Sequence, residues 1–261
     1  MNILITGAST GIGYQLALDY GRQGHSLWLL ARSKDKLEAL GAEIEAVGGK
    51  ATVMAGDVSN IDEMLVNLTQ ADEASGGMDL VIANAGISAR MRYPGSESLS
   101  NARRVLDINF TAAVICLEFF MQRMIPRRSG HLVGIGSIAG FRGLPGHGPY
   151  SAAKAGLHTY LESLRFSGHQ YGIKVTDIRP GFVRTPLVAN NRQPMPFILS
   201  VEAASRRIRR AIEKGRKRYT FPRIMAFMGW FLRVSPNFLT DFILGLALHS
   251  RAVSGAPIED R

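Results

Sequence analysis

The chain has 261 residues and a mass of 28.5 kDa, a length that a single α/β domain commonly reaches. Hydrophobic residues make up 46% and charged residues 20%, which excludes a disordered chain and predicts a large buried core. The net charge is +10, but residues 206–223 hold nine basic residues and one acidic residue and so contribute +8. This local basic strip favours a solvated helix face or a membrane surface over a nucleic-acid groove.

The single cysteine, Cys116, excludes an intramolecular disulfide and a cysteine cluster for zinc or iron–sulfur binding, and we predict no metal site. Because Cys116 lies in an apolar segment, we predict that it is a buried core residue. The N-terminal sequence has no basic region followed by an apolar stretch, so no signal peptide is predicted. Together these features predict a cytoplasmic protein.

A glycine-rich loop, residues 6–13, follows the first predicted strand and begins a helical pattern. In a strand–loop–helix unit, such glycines allow a tight turn, close approach of the backbone to a pyrophosphate and close packing of helix on strand. The N-terminus of the helix then offers free N–H groups and a favourable dipole to the anion. The loop therefore predicts a dinucleotide site formed by Gly7, Ser9, Thr10, Gly11, Ile12 and Gly13.

The second predicted strand, residues 26–31, ends at Ala31, where a carboxylate would bind the ribose of NAD and repel a 2′-phosphate. Arg32 follows at once, and its planar, permanently charged guanidinium suits a phosphate. We therefore predict NADP(H) as the cofactor, with NAD(H) less favoured. The other interpretation of Arg32 is a solvated residue at the start of a helix.

Short β-rich segments alternate with longer helical segments through the first two-thirds of the chain. The crossover segment 34–47 is typical, because Leu37, Ile44 and Val47 share one helical face. Repeated strand–helix–strand units predict a doubly wound parallel sheet with helices on both faces. The further predicted strands are residues 51–56, 79–83, 131–137 and 173–179, with a last strand at 217–221.

Tyr150 and Lys154 are four residues apart, which places their side chains on one face of a helix. Ser137 stands at the end of the fifth predicted strand. A free tyrosine has a pKa of about 10, which makes it a poor base near neutral pH, but a nearby ammonium group would lower that pKa. The spacing therefore predicts a proton-transfer pair in which Lys154 lowers the pKa of Tyr150.

Further residues fit the same arrangement, and with them the sequence resembles the short-chain dehydrogenase/reductase family. The resemblance extends from residue 1 to about residue 186 in the family's order and spacing. It implies a single Rossmann-type domain of about seven strands and an enzyme that interconverts a carbonyl and an alcohol. Besides the glycine loop, the matching residues are Asp57, Val58, Asn84, Ala85, Gly86, Asn109, Ser137, Tyr150, Lys154, Pro180, Gly181 and Thr185.

The resemblance also implies a role for each of these residues. Tyr150 would be the acid in reduction and the base in oxidation, and Ser137 would orient the substrate oxygen. Lys154 would also hold the nicotinamide ribose, and Asn109 would support a proton relay through water. Asp57 and Val58 would meet the adenine. The remaining cofactor contacts would come from Asn84, Ala85, Gly86, Pro180, Gly181, Val183 and Thr185.

The loop after Thr185 is apolar, which favours a lipophilic substrate such as an acyl, steroid or retinoid-like carbonyl or alcohol. An ordinary packed loop is an equally good interpretation. The candidate substrate contacts are Ser88, Phe141, Pro145, His147, Leu187 and Phe197.

The chain departs from the commoner members of the family after residue 200. We expect one domain in which residues 1–200 form the core and residues 201–261 add a basic helix at 201–214, the last strand and two apolar helices at 221–232 and 238–248. No apolar run of about 20 residues occurs in this tail, so a transmembrane helix is not predicted there. The tail could form a homodimer face, a lid, or a contact with an anionic membrane surface through residues 206–248.

Two other functions compete with catalysis. A non-catalytic dinucleotide-binding sensor or scaffold at a membrane surface would keep the fold, but the intact Ser137, Tyr150 and Lys154 argue against it. Nucleic-acid binding is disfavoured because the basic strip has no interleaved stacking aromatics and reads as an amphipathic helix with a basic outer face.

Overall fold

A seven-stranded, entirely parallel sheet forms the centre of the computed structural model, which describes residues 1–88, 98–144, 146–189 and 194–242. Its strand order is β3-β2-β1-β4-β5-β6-β7, so the order reverses between β1 and β4. This confirms the predicted doubly wound fold. The strands are β1 (Asn2–Thr6), β2 (Ser26–Ala31), β3 (Lys50–Ala55), β4 (Leu80–Ala83), β5 (His131–Ile135), β6 (Lys174–Pro180) and β7 (Arg218–Phe221).

Helices connect the strands and cover both faces of the sheet. The helices are α1 (Gly11–Gly21), α2 (Lys34–Ala46), α3 (Ile61–Ser75), α4 (Leu99–Leu106), α5 (Ala112–Arg127), α6 (Gly148–His169), α7 (Val201–Glu213) and α8 (Arg223–Val234). Helices α1, α2 and α7 pack on one face, where Leu16, Leu40 and Ile208 are buried. Helices α3, α5 and α6 pack on the other, where Cys116 is buried as the sequence predicted. Each crossover thus buries its apolar stripe against the sheet.

Strand β5 ends two residues earlier than predicted. The N–H of Gly136 still donates to the carbonyl oxygen of Ile178 on β6, at 2.7 Å. Ser137 then leaves the sheet, and its Oγ accepts the N–H of Ala139 at 3.1 Å and caps a short 3₁₀ turn, Ile138–Gly140. A side-chain cap of this kind competes with strand pairing, so Ser137 lies just beyond the carboxyl end of β5 instead of within the strand.

The C-terminal region begins with α7, β7 and α8, close to the predicted positions. A second helix starts at Asn237 and continues to Phe242, the last described residue. The rest of the predicted helix at 238–248 lies outside the described residues.

One continuous helical stretch in the described part of the chain, Leu99–Arg127, is long and apolar enough to cross a membrane. Half of its most apolar window is buried inside the fold, where α5 contributes Leu117 and Phe120 to the core. Core helices of globular proteins pass the same test, so this stretch is weak evidence for a membrane span.

Candidate active site

The glycine loop lies at the carboxyl edge of the sheet, beside the reversal of strand order where ligands bind in such folds. Gly7 and Gly11 have φ angles of 66° and 61°, which glycine adopts without strain. A methyl group at residue 13 would overlap the carbonyl oxygen of Gly7 and the amide nitrogen of Asn84. The loop can therefore hold its tight shape only with glycine at this position.

Asn84 and Thr6 fasten the ends of β4 and β1 together. Nδ2 of Asn84 donates to the carbonyl oxygens of Thr6 and Gly7, at 3.0 and 3.1 Å. Oγ1 of Thr6 accepts the N–H groups of Asn84 and Ala85, at 3.0 and 3.1 Å. These four hydrogen bonds fix the start of the glycine loop to the residues that follow β4.

Arg32 and Asp57 lie together where β2 and β3 end, with Arg32 Nη1 4.0 Å from Asp57 Oδ2. Burial acts to raise the pKa of Asp57, but hydrogen bonds from Ser59 and the nearby Arg32 and Arg104 hold that pKa below its usual value. The Arg32 side chain is 55% exposed and so remains accessible to an anion. Val58, predicted beside the adenine, is buried in the core.

Helix α6 brings Tyr150 and Lys154 to Ser137. The Tyr150 hydroxyl lies close to the side chain of Ser137, which acts on its pKa as a hydrogen-bond partner. The buried Nζ of Lys154 donates to the carbonyl oxygen of Ile135 at 2.9 Å and lies 5.8 Å from the centre of the Tyr150 ring. Ser137 and Lys154 are 17 positions apart in sequence, and together with Tyr150 they form one cluster at the carboxyl end of β5.

The pKa values in this cluster differ from the expectation that Lys154 lowers the pKa of Tyr150. Burial raises the pKa of Tyr150, and the hydrogen bond with Ser137 acts in the opposite direction without overcoming it. Burial also lowers the pKa of Lys154 to about 8, although Asp177 acts to raise it. In the protein alone the phenol is therefore protonated at neutral pH, as a proton donor requires.

Asn109 lies in a π-helical turn, Asp107–Thr111, that joins α4 to α5. Its Nδ2 donates to the carbonyl oxygens of Ile87 and Val105, both at 2.9 Å. Its buried Oδ1 has no hydrogen-bond partner among the described residues. A methyl group at Gly86 would lie 2.7 Å from this oxygen and 3.7 Å from Lys154 Nζ. The unpaired oxygen of Asn109 and the ammonium group of Lys154 therefore border the same small space beside Gly86.

The loop after β6 packs against the glycine loop. A Cβ on Gly11 would lie 3.0 Å from Thr185 Cγ2, so this loop contacts the glycine loop. Val183 is buried and pairs with Leu199 in an isolated parallel bridge. The N–H of Gly181, just after Pro180, donates to the carbonyl oxygen of Phe221 at 2.7 Å.

The predicted substrate contacts are scattered over these loops. The Phe141 ring lies 5.2 Å from the Arg179 guanidinium and packs against His158 and Gly229. Leu187 and Phe197 are exposed on the loop after β6. Ser88 follows β4, and His147 precedes α6, where its carbonyl oxygen accepts the N–H of Ser151. Pro145 lies outside the described residues.

Comparison with known proteins agrees with this geometry, since the family model for short chain dehydrogenases matches residues 1–196. The chain belongs to the short-chain dehydrogenase family. An uncharacterized oxidoreductase of Myxococcus xanthus is 39% identical over 241 residues, which are 91% of this chain and 94% of that protein. An 11-beta-hydroxysteroid dehydrogenase-like 2 protein of Arabidopsis thaliana is 30% identical over 248 residues, 93% of this chain and 80% of that protein.

The fold comparison points the same way. A solved short-chain dehydrogenase from Sphingobium yanoikuyae, in complex with NADPH, matches with a TM-score of 0.79 at 22% identity and covers 100% of this chain and 98% of its own. At this identity the likeness supports the fold. With the sequence relatives named as oxidoreductases or dehydrogenases, the protein is an oxidoreductase of the short-chain dehydrogenase family.

Sequence reasoning missed four charged or titratable residues behind and beside this site. Three of them, His158, Asp177 and Arg179, form a buried cluster beneath Ser137. The signal that could have revealed the cluster is the presence of two charged residues, Asp177 and Arg179, in β6, a strand that is buried from its second residue onward. The fourth, Arg142, follows the 3₁₀ turn and holds α8 against the site loops.

Arg142 donates three hydrogen bonds, to the carbonyl oxygens of Leu232 and Ser235 and to Oδ1 of Asn237, at 2.9, 2.8 and 3.1 Å. We expect Arg142→Ala to lower the free energy of unfolding by about 1–3 kcal/mol, because the last carbonyls of α8 lose a charged donor. Proteolysis within residues 223–242 should become faster. Arg103→Ala is the control, since the Arg103 side chain is 85% exposed and pairs with Asp107 on the next turn; equal proteolysis of both variants would contradict this role.

Proposed function

We propose that the protein is an NADP(H)-dependent oxidoreductase that interconverts a carbonyl and an alcohol, with Tyr150 as the proton donor and acceptor. The proposal depends on one observation, the cluster of Ser137, Tyr150 and Lys154 at the carboxyl edge of the sheet beside the glycine loop. These groups can hold an oxygen atom and move a proton to or from it.

A dinucleotide fits the residues that surround this cluster. The tight turns at Gly7 and Gly11 and the methyl-excluding position at Gly13 form a backbone cradle at the N-terminus of α1. Such a cofactor supplies the hydride and, in its oxidised form, a positive charge. Lys154 and the free Oδ1 of Asn109 are the groups of this chain that would meet its nicotinamide side.

The side chains divide the proton chemistry among them. Ser137 would donate a hydrogen bond to the substrate oxygen and keep it next to Tyr150. Tyr150 would give its proton to that oxygen during reduction and take it back during oxidation. Lys154, buried and hydrogen-bonded to Ile135, would stabilise the phenolate that remains, and Oδ1 of Asn109 would accept a hydrogen bond from a water that restores the proton.

Preference for NADP(H) is proposed from Ala31, which stands where NAD-specific sites carry a carboxylate, and from Arg32, which follows it. We expect Arg32→Ala to raise the Kd for NADPH about 10- to 100-fold and to leave the Kd for NADH nearly unchanged, because a charged hydrogen bond to the 2′-phosphate is lost. Arg22→Ala is a matched control, since its side chain is 54% exposed against 55% for Arg32. Equal affinity of the two variants for NADPH, measured by fluorescence titration, would reject the assignment.

A lipophilic substrate is proposed from the exposed Leu187 and Phe197 on the loop beside the cleft. The steroid dehydrogenase-like name of the Arabidopsis thaliana relative supports the same substrate class. The test is oxidation of NADPH over a panel of aldehydes, ketones, quinones and 3-oxoacyl compounds, with Tyr150→Phe as the blank. NADPH binding without turnover of any of them would favour the non-catalytic sensor or scaffold instead.

We propose that the exposed apolar side chains of α8 and of the residues that follow it contact the cytoplasmic surface of an anionic membrane. Arg223 and Arg233, at the two ends of α8, are exposed. A surface cavity of about 280 Å³ next to Tyr219 of β7 is lined by three more arginines, Arg206, Arg207 and Arg210. Apolar insertion flanked by positive charge is the arrangement that binds anionic lipid. The exposed apolar residues are Ile224, Phe227, Met228, Trp230, Phe231, Val234, Phe238 and Phe242.

The protein should float with vesicles that contain phosphatidylglycerol and much less with vesicles of phosphatidylcholine alone. Phe227→Ser with Trp230→Ser should weaken binding to these vesicles about 100-fold, because about 3 kcal/mol of apolar burial is lost. Leu99→Ser is the control, since Leu99 is 91% exposed on α4. A homodimer, also predicted for this surface, is the competing outcome. If the wild-type protein does not float, and light scattering gives a dimeric mass that the double variant loses, the dimer replaces the membrane proposal.

A further inference from the structure

A buried charged cluster lies directly behind the proposed catalytic side chains. Asp177 and Arg179 on β6 and His158 on α6 are each at most 3% exposed. Nε and Nη2 of Arg179 lie 2.7 and 2.6 Å from Oδ2 of Asp177. The second carboxylate oxygen, Oδ1, lies 4.0 Å from Nε2 of His158 and has no hydrogen-bond partner among the described residues. Burying such groups is costly, so their position close to the site needs a reason.

His158 is wedged beneath the turn that carries Ser137. The backbone N–H of Ser137 donates to Nε2 of His158 at 3.4 Å. A methyl group at Gly136 or Gly140 would overlap the imidazole ring, so both glycines are needed for the ring to reach this place. Because Nε2 accepts a hydrogen bond, the neutral ring carries its proton on Nδ1, which is buried and has no hydrogen-bond partner among the described residues. Burial, with Arg179 and Lys154 nearby, lowers the pKa of His158 to about 2, which keeps it neutral.

Asp177 also approaches Lys154, because its Oδ1 lies 4.0 Å from Nε2 of His158, and His158 follows Lys154 by one turn on the same face of α6. Burial lowers the pKa of Lys154, and Asp177 is the group that acts to raise it. Among the described residues, the other groups near Lys154 bring no second negative charge. They are Tyr150 and His158 on its own helix, the carbonyl of Ile135 on β5 and the amide of Asn109 on the π-helical turn, and Arg179 lies beyond them as the partner of Asp177.

We infer that His158, Asp177 and Arg179 form a positioning cluster for the catalytic groups: neutral His158 holds the backbone of Ser137, and the Asp177 carboxylate, held by Arg179, supplies the negative charge that acts on Lys154. None of the three contacts the substrate. The inference rests on the proposed role of Ser137, Tyr150 and Lys154, and its experiments separate the two.

The role of His158 is tested with His158→Gln and His158→Leu. Glutamine keeps an acceptor near the position of Nε2, whereas leucine has a similar volume and no acceptor. We expect kcat of His158→Leu to fall about tenfold with the Kd for NADPH unchanged, and His158→Gln to recover most of it. Equal losses in both variants would mean that the ring only fills space, and would overturn this part.

The state of His158 is also measured without turnover. ¹⁵N chemical shifts of the imidazole should show a proton on Nδ1, none on Nε2, and no titration between pH 5 and 8. A proton on Nε2, or a ring that titrates in this range, contradicts the hydrogen bond from Ser137.

The role of Asp177 is tested by the pH dependence of kcat/KM. Its negative charge raises the pKa of Lys154, so Asp177→Asn lowers that pKa, and the alkaline limb should move to lower pH by about one unit. Asp19→Asn is the matched control, since Asp19 is a buried carboxylate at the interface of α1 and α7, bound by Ser205 and Arg209. An alkaline limb that stays in place in Asp177→Asn would overturn this part.

Because Asp177→Asn leaves Arg179 buried without its partner, a second variant, Asp177→Asn with Arg179→Met, covers the case in which the first does not fold. This variant also lacks the positive charge of Arg179, which opposes the effect of Asp177 on Lys154, so its alkaline limb should move to lower pH by less than in Asp177→Asn. An alkaline limb that stays in place in this variant would likewise overturn this part. Should Tyr150→Phe keep full activity, the proposed function itself fails. Should Tyr150→Phe be inactive while the His158 and Asp177 variants match the wild type, only the positioning cluster is rejected.

Discussion

Replacing Tyr150 with phenylalanine should lower kcat about 10³-fold, the largest effect expected of any single side-chain change in this protein. The phenol of Tyr150 lies beside Ser137, with Lys154 Nζ 5.8 Å from its ring, and it carries a proton that it can deliver to a substrate oxygen. Phenylalanine keeps the ring and its packing and removes only the transferable proton. The Kd for NADPH and the melting temperature should therefore change little.

Tyr160→Phe provides the control for this experiment. Tyr160 lies on the same helix, and its hydroxyl donates to the carbonyl oxygen of Val114 at 3.5 Å, away from Ser137. Its loss should leave kcat within about twofold of the wild type. Steady-state oxidation of NADPH with an accepted carbonyl substrate measures both variants. Turnover by Tyr150→Phe at the wild-type rate would refute the assignment of the proton donor.

Gly13→Ala should weaken NADPH binding about 100-fold, the second of the two large effects. A methyl group at this position would overlap the carbonyl oxygen of Gly7 and the Asn84 amide that holds β1 to β4. Relief of that overlap displaces the loop backbone and costs about 3 kcal/mol, which is about two powers of ten in affinity. Fluorescence titration with NADPH measures the loss.

Gly41→Ala is the control for the glycine experiment. A methyl group on Gly41, in α2, would lie 3.6 Å from Ala51 and Val53, which is ordinary contact. Alanine should leave NADPH binding unchanged and stabilise the helix by up to about 1 kcal/mol. Unchanged NADPH affinity in Gly13→Ala would mean that the dinucleotide does not use this loop.

The fold could be predicted because its signals are local. Each strand is a short β-rich segment bounded by turn residues, and each crossover helix has one apolar face, so the alternation alone indicates a parallel sheet. The spacing of Tyr150 and Lys154 likewise determines a shared helix face. The expectation that Ser137 joins them came from the resemblance to the short-chain dehydrogenase/reductase family and not from spacing alone.

The missed contacts of Arg142 and His158 join residues far apart in sequence. Arg142 reaches the end of α8 across 90 positions, and His158 meets Ser137 across 21. The raised pKa of Tyr150 depends on how deeply the folded cleft buries the phenol, which spacing along a helix does not reveal. The early end of β5 depends on whether Ser137 caps a turn or continues a strand, and the two are equally compatible with its sequence.

The central claim is that a dinucleotide held by the glycine loop lies beside the phenol of Tyr150, and a crystal structure of the protein with NADP⁺ measures this directly. We expect the pyrophosphate on the backbone of residues 7–13, the 2′-phosphate at Arg32 and the nicotinamide ring in contact with Tyr150. A nicotinamide ring bound away from Tyr150, or a dinucleotide bound elsewhere on the chain, would contradict the proposed site.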